Sequence, residues 1–264
     1  VRPEEAPYLE DSLHITIGNP ARGNSINKKT LAFLDFLSNY QWDRPIHFGL
    51  GSAANPATNM FGLQDYMILE GLTCPVGINI PDFIEKVAQR DYEGAYQIIT
   101  QQWEFGGMDN PKTYLSEADR RTATHVRSAI NFASRALMLD GDTARARELL
   151  NLSVEKMPAN RFEPNYYVIE TIKLLYAAAD PQTADSLARY EFDQLEKDLM
   201  YFYSFPNRLR MNVYSDARMD LMLYNLLLSY VETNNPELFA EKKEYYEKLT
   251  GAFVSLYPFV IRKE

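Results

Sequence analysis

Residues 141–150 read Gly-Asp-Thr-Ala-Arg-Ala-Arg-Glu-Leu-Leu, and this stretch decides the fold. Asp140-Gly141-Asp142 breaks one helix, and small and large apolar residues then recur at helical spacing in the next. A short turn between two amphipathic helices is typical of tetratricopeptide-like hairpin arrays. The stretch is the best single repeat-like match in the chain of 264 residues.

Helical patterning continues on both sides of this turn. Apolar residues recur every three or four positions in six segments between residues 117 and 256. Asp180-Pro181 and Asn235-Pro236 each place a capping residue before a proline that suits the first helical position. The turns are unequally spaced, so the pattern predicts a degenerate array of three helical hairpins, a mainly α fold of the α-α superhelix type.

Glycine and proline divide the chain into two parts. Residues 1–111 contain 10 of the 12 glycines and 8 of the 14 prolines, whereas long helices need these residues to be rare. We therefore predict a smaller α/β part at 1–111 and a helical hairpin domain at 112–264. The elements predicted in the smaller part are strands at 13–17, 45–50 and 73–80 and helices at 27–40, 82–90 and 92–103.

Composition excludes several classes of function. The net charge of −9 and the absence of a basic run argue against a nucleic-acid partner. Cys74 is the single cysteine, so neither an intrachain disulfide nor a cysteine metal cluster can form. His14, His47 and His125 are far apart and form no zinc motif. We predict no metal, no cofactor and no catalytic residue, and no apolar run approaches the roughly 20 residues of a membrane span.

Three strings in order carry a family resemblance. They are Asn-Tyr-Gln-Trp-Asp-Arg-Pro-Ile-His-Phe at 39–48, Gly-Leu-Gln-Asp-Tyr-Met-Ile-Leu-Glu-Gly-Leu at 62–72, and Phe-Gly-Gly-Met-Asp-Asn-Pro-Lys-Thr-Tyr-Leu at 105–115. Ahead of a helical hairpin region, they resemble the C-terminal soluble part of a Bacteroidetes family of multi-pass membrane proteins. That family is protein O-mannosyltransferase-like and was long of unknown function. The resemblance covers roughly residues 27–205.

The resemblance implies a membrane-embedded glycosyltransferase-like region upstream, which uses a lipid-linked sugar donor. It also implies that this piece lies on the periplasmic side of the cytoplasmic membrane. The chain starts at Val1 without an initiator Met or an apolar signal region, so we expect an excised or processed piece. The acidic catalytic residues of the membrane region are absent here, and no role is established for the Trp42-Arg44-Pro45 and Leu69-Glu70-Gly71 motifs.

Three functions from different classes remain open at this point. The first is a non-catalytic extracytoplasmic domain of the membrane glycosyltransferase-like protein, which binds a glycan acceptor protein or another protein partner. The second is a free-standing tetratricopeptide-like scaffold that binds protein or peptide. The third is a soluble enzyme with its site at the junction of the α/β part and the helices. An upstream reading frame without membrane spans would exclude the first.

A candidate groove follows from the hairpin array. In such arrays the first helix of each pair lines the concave side, where ligands bind. These helices are predicted at about 117–139, 164–179 and 207–232, and polar or aromatic residues lie off their apolar stripes. The predicted groove residues are Arg127, Asn131, Asn165, Tyr166, Arg208 and Asn212. The alternative is that these six are scattered, solvated side chains.

Overall fold

A computed structural model describes residues 28–40, 46–49, 73–76 and 92–258. The chain divides into two units, residues 1–103 and 104–264, which are described separately below. This division falls within the connection that precedes the predicted boundary near Pro111. The strand predicted at 13–17, the helix predicted at 82–90, and the Trp42 and Leu69 motifs lie outside the described residues.

The first unit contains short elements. They are helix α1 (Lys28–Asn39), strands β1 (Ile46–Gly49) and β2 (Thr73–Val76), and helix α2 (Tyr92–Gln97), which continues as one π turn (Ile98–Gln102). The two strands pair antiparallel, with Ile46 opposite Val76 and Gly49 opposite Thr73. The helix predicted at 27–40 and both strands are therefore confirmed, although the strands are shorter than predicted. The α/β character of the whole part stays a prediction.

The described part of the second unit, residues 104–258, contains six long helices, as the apolar stripes predict. They are α3 (Glu117–Leu139), α4 (Thr143–Lys156), α5 (Tyr166–Ala177), α6 (Pro181–Tyr203), α7 (Tyr214–Asn234) and α8 (Pro236–Leu256). Each odd-numbered helix of this set packs against the helix that follows it, and the first helices α3, α5 and α7 also pack in succession. The predicted mainly α hairpin array is confirmed.

Side-chain caps set the start of most of these helices. Ser116 and Asp119 form a reciprocal capping box at α3, because each side chain accepts a hydrogen bond from the backbone of the other. The cap carboxylates or amides accept from the third helical N–H at 3.0 Å for Asp142, 3.2 Å for Asp180 and 3.0 Å for Asn235. The caps predicted from sequence at Asp180 and Asn235 are confirmed.

The predicted start of the first helix in the third hairpin was wrong. Helix α7 begins at Tyr214 rather than at residue 207, and a 3-10 turn (Arg210–Val213) precedes it. The Leu209 N–H donates to the Pro206 carbonyl at 2.8 Å, and Arg210 Nε donates to the Phe205 carbonyl at 2.9 Å. These bonds hold the connection in turns ahead of Tyr214.

The helix predicted at 164–179, the first of the second hairpin, is two residues too long at each end. Helix α5 starts at Tyr166 because the Asn165 side chain accepts from the Tyr167 and Val168 N–H groups at 3.0 and 3.3 Å and so caps it. It ends at Ala177 because Ala179 has a φ of 56°. A left-handed residue cannot continue a right-handed helix, and it closes this one.

The core runs along the array and contains one buried ionic bridge. Phe192 of α6 and Tyr224 of α7 lie at its centre, are fully buried, and have ring centroids 4.7 Å apart. Lys242 of α8 is buried, and its Nζ lies 2.9 Å from Asp193 Oδ1 and 3.0 Å from Glu196 Oε1 of α6. The second and third hairpins are thus joined by apolar packing and by a paired buried cation.

Candidate functional site

A buried amide joins the first and second hairpins. Asn131 of α3 is fully buried, and its Nδ2 donates to the Tyr167 carbonyl of α5 at 2.8 Å. Its Oδ1 lies 2.9 Å from the hydroxyl of Thr171, and its Nδ2 lies 3.3 Å from Glu170 Oε2. Buried polar groups need such partners, so Asn131 fixes the register of α3 against α5. It lies beneath the surface that these helices expose.

Above this amide, five side chains from α3, α5 and α7 form a cluster. Arg135 of α3 makes an ion pair with Glu170 of α5, and Lys173 Nζ lies 5.3 Å from the ring centroid of Tyr230 of α7. Burial raises the pKa of Tyr230, Tyr166 raises it further, and Arg135 opposes the shift. These five residues, here called the Tyr230 cluster, therefore place all three first helices within electrostatic reach of one another.

Exposed apolar side chains lie on two of the helices that carry the Tyr230 cluster, α3 and α7. Phe132 and Leu139 lie one helical turn on either side of Arg135, with exposed fractions of 53% and 82%. On α7, Met219 and Met222 are also exposed, and Met222 lies two turns before Tyr230. We call the Tyr230 cluster with these four apolar residues the first-helix face. Exposed apolar residues grouped in this way mark interaction surfaces more often than isolated ones do.

A pocket of about 250 Å³ lies elsewhere in the unit, between the N-terminal half of α3 and residues 162–165. Its wall includes three guanidinium groups, two carboxylates and one aromatic ring. They belong to Arg120, Arg121, Arg127, Glu117, Glu163 and Phe162. Arg120 Nη1 donates to the Arg161 carbonyl at 3.1 Å, which holds this half of α3 against the connection between α4 and α5.

Arg127 is the buried member of the pocket wall, with 4% of its surface exposed. Its Nη2 donates to the Met157 carbonyl at 2.5 Å, and its Nη1 lies 3.4 Å from Ser153 Oγ. Burial lowers the pKa of Arg127 to about 10, and the Coulombic effect of Glu191 opposes that shift. Both hydrogen-bond partners of this buried cation are neutral.

Glu191 of α6 is a buried carboxylate that the sequence pattern does not reveal. It is 1% exposed, and its Oε2 has no hydrogen-bond partner among the described residues. Burial raises the pKa of Glu191 to about 8, although Arg127 lowers it in part. Glu191 directly precedes Phe192 and was not part of the predicted apolar stripe, so helical periodicity gave no sign of it.

The structure does not bring the six predicted groove residues together at one surface. Tyr166 belongs to the first-helix face, and Asn131 is buried beneath it. Arg127 and Asn165 line the pocket instead. Arg208 and Asn212 are exposed on the connection before α7. The six positions are thus divided among three places, and the role of each in binding stays a prediction.

The first-helix face has members that sequence reasoning passed over. Phe132, Arg135, Lys173 and Tyr230 were not among the predicted groove residues, although they lie on the predicted first helices. An i, i+3 spacing of Phe132 and Arg135 off the apolar stripe was the available signal. The contact of Lys173 with Tyr230 crosses from one hairpin to another, and no spacing within a single helix reveals it.

Comparison with known proteins links the chain to a membrane protein. Residues 1–81 match TMEM260-associated domain 2. This stretch is less than a third of the chain, and it precedes the helical hairpin unit. TMEM260 is a protein O-mannosyltransferase-like membrane protein. The match therefore supports the part of the resemblance that concerns a membrane protein of this kind. No curated protein and no solved structure matches the chain.

The described residues contain neither a candidate membrane span nor a candidate metal cluster. None of the helices described above has both the length and the apolar character needed to cross a bilayer. Within the same residues, no group of three or more histidine, cysteine or acidic side chains is arranged to hold a metal ion. The described helical unit presents a mixed aromatic and cationic face and a pocket rich in guanidinium groups.

Proposed function

We propose that this chain is a non-catalytic domain of a TMEM260-like membrane glycosyltransferase, located on the extracytoplasmic side, and that its hairpin array binds a protein partner or the glycan acceptor protein. The single observation that carries the partner-binding role is the first-helix face. It combines an exposed tyrosine, two cations and exposed apolar side chains across three hairpins. Aromatic residues, Met and Arg are the residue types enriched in protein interfaces.

The match at residues 1–81 supports the membrane link over a free-standing scaffold. Both functions use the same face, so the link rests on the family match and the partner binding rests on the geometry. Reading the upstream gene sequence separates the two. Several apolar segments of about 20 residues ahead of Val1 are expected, and a reading frame that lacks them would leave only the scaffold.

Site-specific photocross-linking in the full-length protein in its own membrane tests the partner-binding role. A photoreactive residue is placed at Phe132 or Met222 on the first-helix face, and at Tyr245 as the control. Tyr245 is 43% exposed but lies on α8, a second helix. A discrete cross-linked protein is expected from the first two positions and not from the control. Equal labelling at all three positions, or none, would contradict the proposal.

A further inference from the structure

Arg127 presents an unbalanced charge at the pocket wall. A buried cation needs an opposite charge or a full set of hydrogen bonds, because burial removes its hydration. Among the described residues, Arg127 bonds only to a carbonyl and a hydroxyl, and a guanidinium has five N–H donors. Glu191 is the carboxyl group that acts on Arg127 electrostatically, but among the described residues no hydrogen bond joins the two side chains, and Glu191 Oε2 has no hydrogen-bond partner. The fold therefore leaves this guanidinium without a hydrogen-bonded counter-charge.

Two more guanidinium groups line the same pocket. Arg121 Nη2 lies 2.7 Å from Glu117 Oε1, so that pair is already neutralised at the rim. Among the described residues, the Arg120 guanidinium donates only to the Arg161 carbonyl, which is uncharged. Glu163 is the other carboxylate in the pocket wall. Its single negative charge is fewer than the two positive charges of Arg120 and Arg127, neither of which has a carboxylate bonded to it. The pocket is thus locally positive in a chain whose net charge is −9.

We propose that the pocket between α3 and residues 162–165 binds an oxyanion, a carboxylate or phosphate group small enough for about 250 Å³, with Arg127 at its base and Arg120 at its mouth. Guanidinium groups match both anions because their N–H donors can bond two oxygens at once. The proposal does not depend on partner binding at the first-helix face, because the two surfaces share none of these residues.

Amide chemical shifts of the isotopically labelled 264-residue chain test the pocket directly. Sodium phosphate and sodium acetate are titrated separately, each against sodium chloride of the same ionic strength. Saturable shifts are expected at residues 120–127 and 162–166 with at least one of the two ions. The ion that saturates at the lower concentration identifies the ligand class. If neither ion produces saturable shifts in these segments, the proposal is overturned.

Substitutions then measure how much Arg127 and Arg120 each contribute to anion binding. Arg127→Met keeps the length of the side chain and removes its charge, and it is expected to weaken anion binding by about tenfold or more. Arg120→Gln is expected to weaken binding less, by about threefold to tenfold. Arg189→Gln, an exposed arginine outside the pocket, is the matched control and should leave affinity unchanged.

A folding check accompanies the buried variant. If circular dichroism shows that Arg127→Met does not fold, the double variant Arg120→Gln with Arg121→Gln decides the question, because both side chains are at the surface. An affinity equal to that of the wild type in the double variant, or in a folded Arg127→Met, would overturn the proposal. A loss confined to these variants, with Arg189→Gln unaffected, would support it.

Discussion

Gly141 and Ala179 occupy the same place in successive hairpins. Each is the left-handed residue that ends a first helix, with φ of 89° and 56°, and each is followed by the aspartate that caps the second helix. The N–H after each one bonds back to a carbonyl five residues earlier, Asp142 to Leu137 at 2.8 Å and Asp180 to Leu175 at 2.9 Å. The two hairpins therefore turn by one motif that uses different residues.

This equivalence predicts that Ala179→Gly and Gly141→Ala change the free energy of unfolding in opposite directions. A left-handed conformation costs an alanine energy that glycine avoids. We expect Ala179→Gly to raise the free energy of unfolding by about 0.5–1 kcal/mol and Gly141→Ala to lower it by a similar amount. No atom lies within 4 Å of a Cβ placed at Gly141, so the cost there is conformational. Urea unfolding of both variants measures this, and changes of the same sign would contradict the equivalence.

The junction between the first two hairpins depends on Asn131. Replacing this residue with leucine removes the amide and leaves the Tyr167 carbonyl and the Thr171 hydroxyl with fewer partners in a buried site. We expect Asn131→Leu to lower the free energy of unfolding by about 2 kcal/mol. The same change at the exposed Asn225 is the control and should have little effect. A neutral result at Asn131 would show that the amide adds nothing to the junction.

Glu191 gives the fold a pH dependence of known sign. Its pKa is raised from 4.5 to about 8, so the folded state holds the proton more tightly than the unfolded state does. The stability that comes from this proton is fully present below about pH 4.5 and is lost as the pH rises through 8. We expect the free energy of unfolding of Glu191→Gln, relative to that of the wild type, to rise between pH 5 and pH 8 by on the order of 3 kcal/mol.

Urea unfolding at pH 5 and pH 8 measures the difference between the two proteins. The exposed Glu232→Gln is the control, and its stability relative to the wild type should not change with pH. If Glu191→Gln shows the same pH dependence as the wild type, the carboxylate at Glu191 is not the source of it.

We expect Tyr166 to contribute to binding and Tyr224 to contribute to the stability of the core. Tyr166 is 51% exposed, whereas Tyr224 is fully buried. We expect Tyr166→Ala to lower the free energy of unfolding by less than about 1 kcal/mol and Tyr224→Ala by about 3 kcal/mol or more. Arg208→Ala, at an exposed position, should behave like Tyr166→Ala. A large loss of stability at Tyr166 would place it in the core and remove it from the binding surface.

Much of the helical unit was predictable because its signals are local. Caps such as Asp180 and Asn235 act within one turn, and the stripe containing Ile130 repeats every three or four residues. The missed start of α7 has a different cause. Arg210 bonds to the Phe205 carbonyl and helps hold the connection in turns before Tyr214, and helical periodicity carries no information on such a bond.

The candidate site was less predictable because its contacts join separate helices. Asn131 lies off the apolar stripe, which suggests a surface position, yet it is buried against α5. Arg127 likewise reaches the Met157 carbonyl 30 residues later. Both side chains find polar partners on a neighbouring element, and one-helix patterns cannot show whether such a partner exists. Tyr166 was placed correctly at the surface because it directly follows the helix cap.

The central claim is that the first-helix face binds protein. The most direct test is to measure the affinity of the chain for the partner captured by cross-linking. Binding to the 264-residue chain is measured by titration calorimetry for the wild type, for Tyr166→Ala with Lys173→Gln, and for Tyr245→Ala on α8. The double variant should weaken binding by about tenfold or more, and Tyr245→Ala should change it by less than about twofold. Equal affinity for all three proteins would contradict the claim.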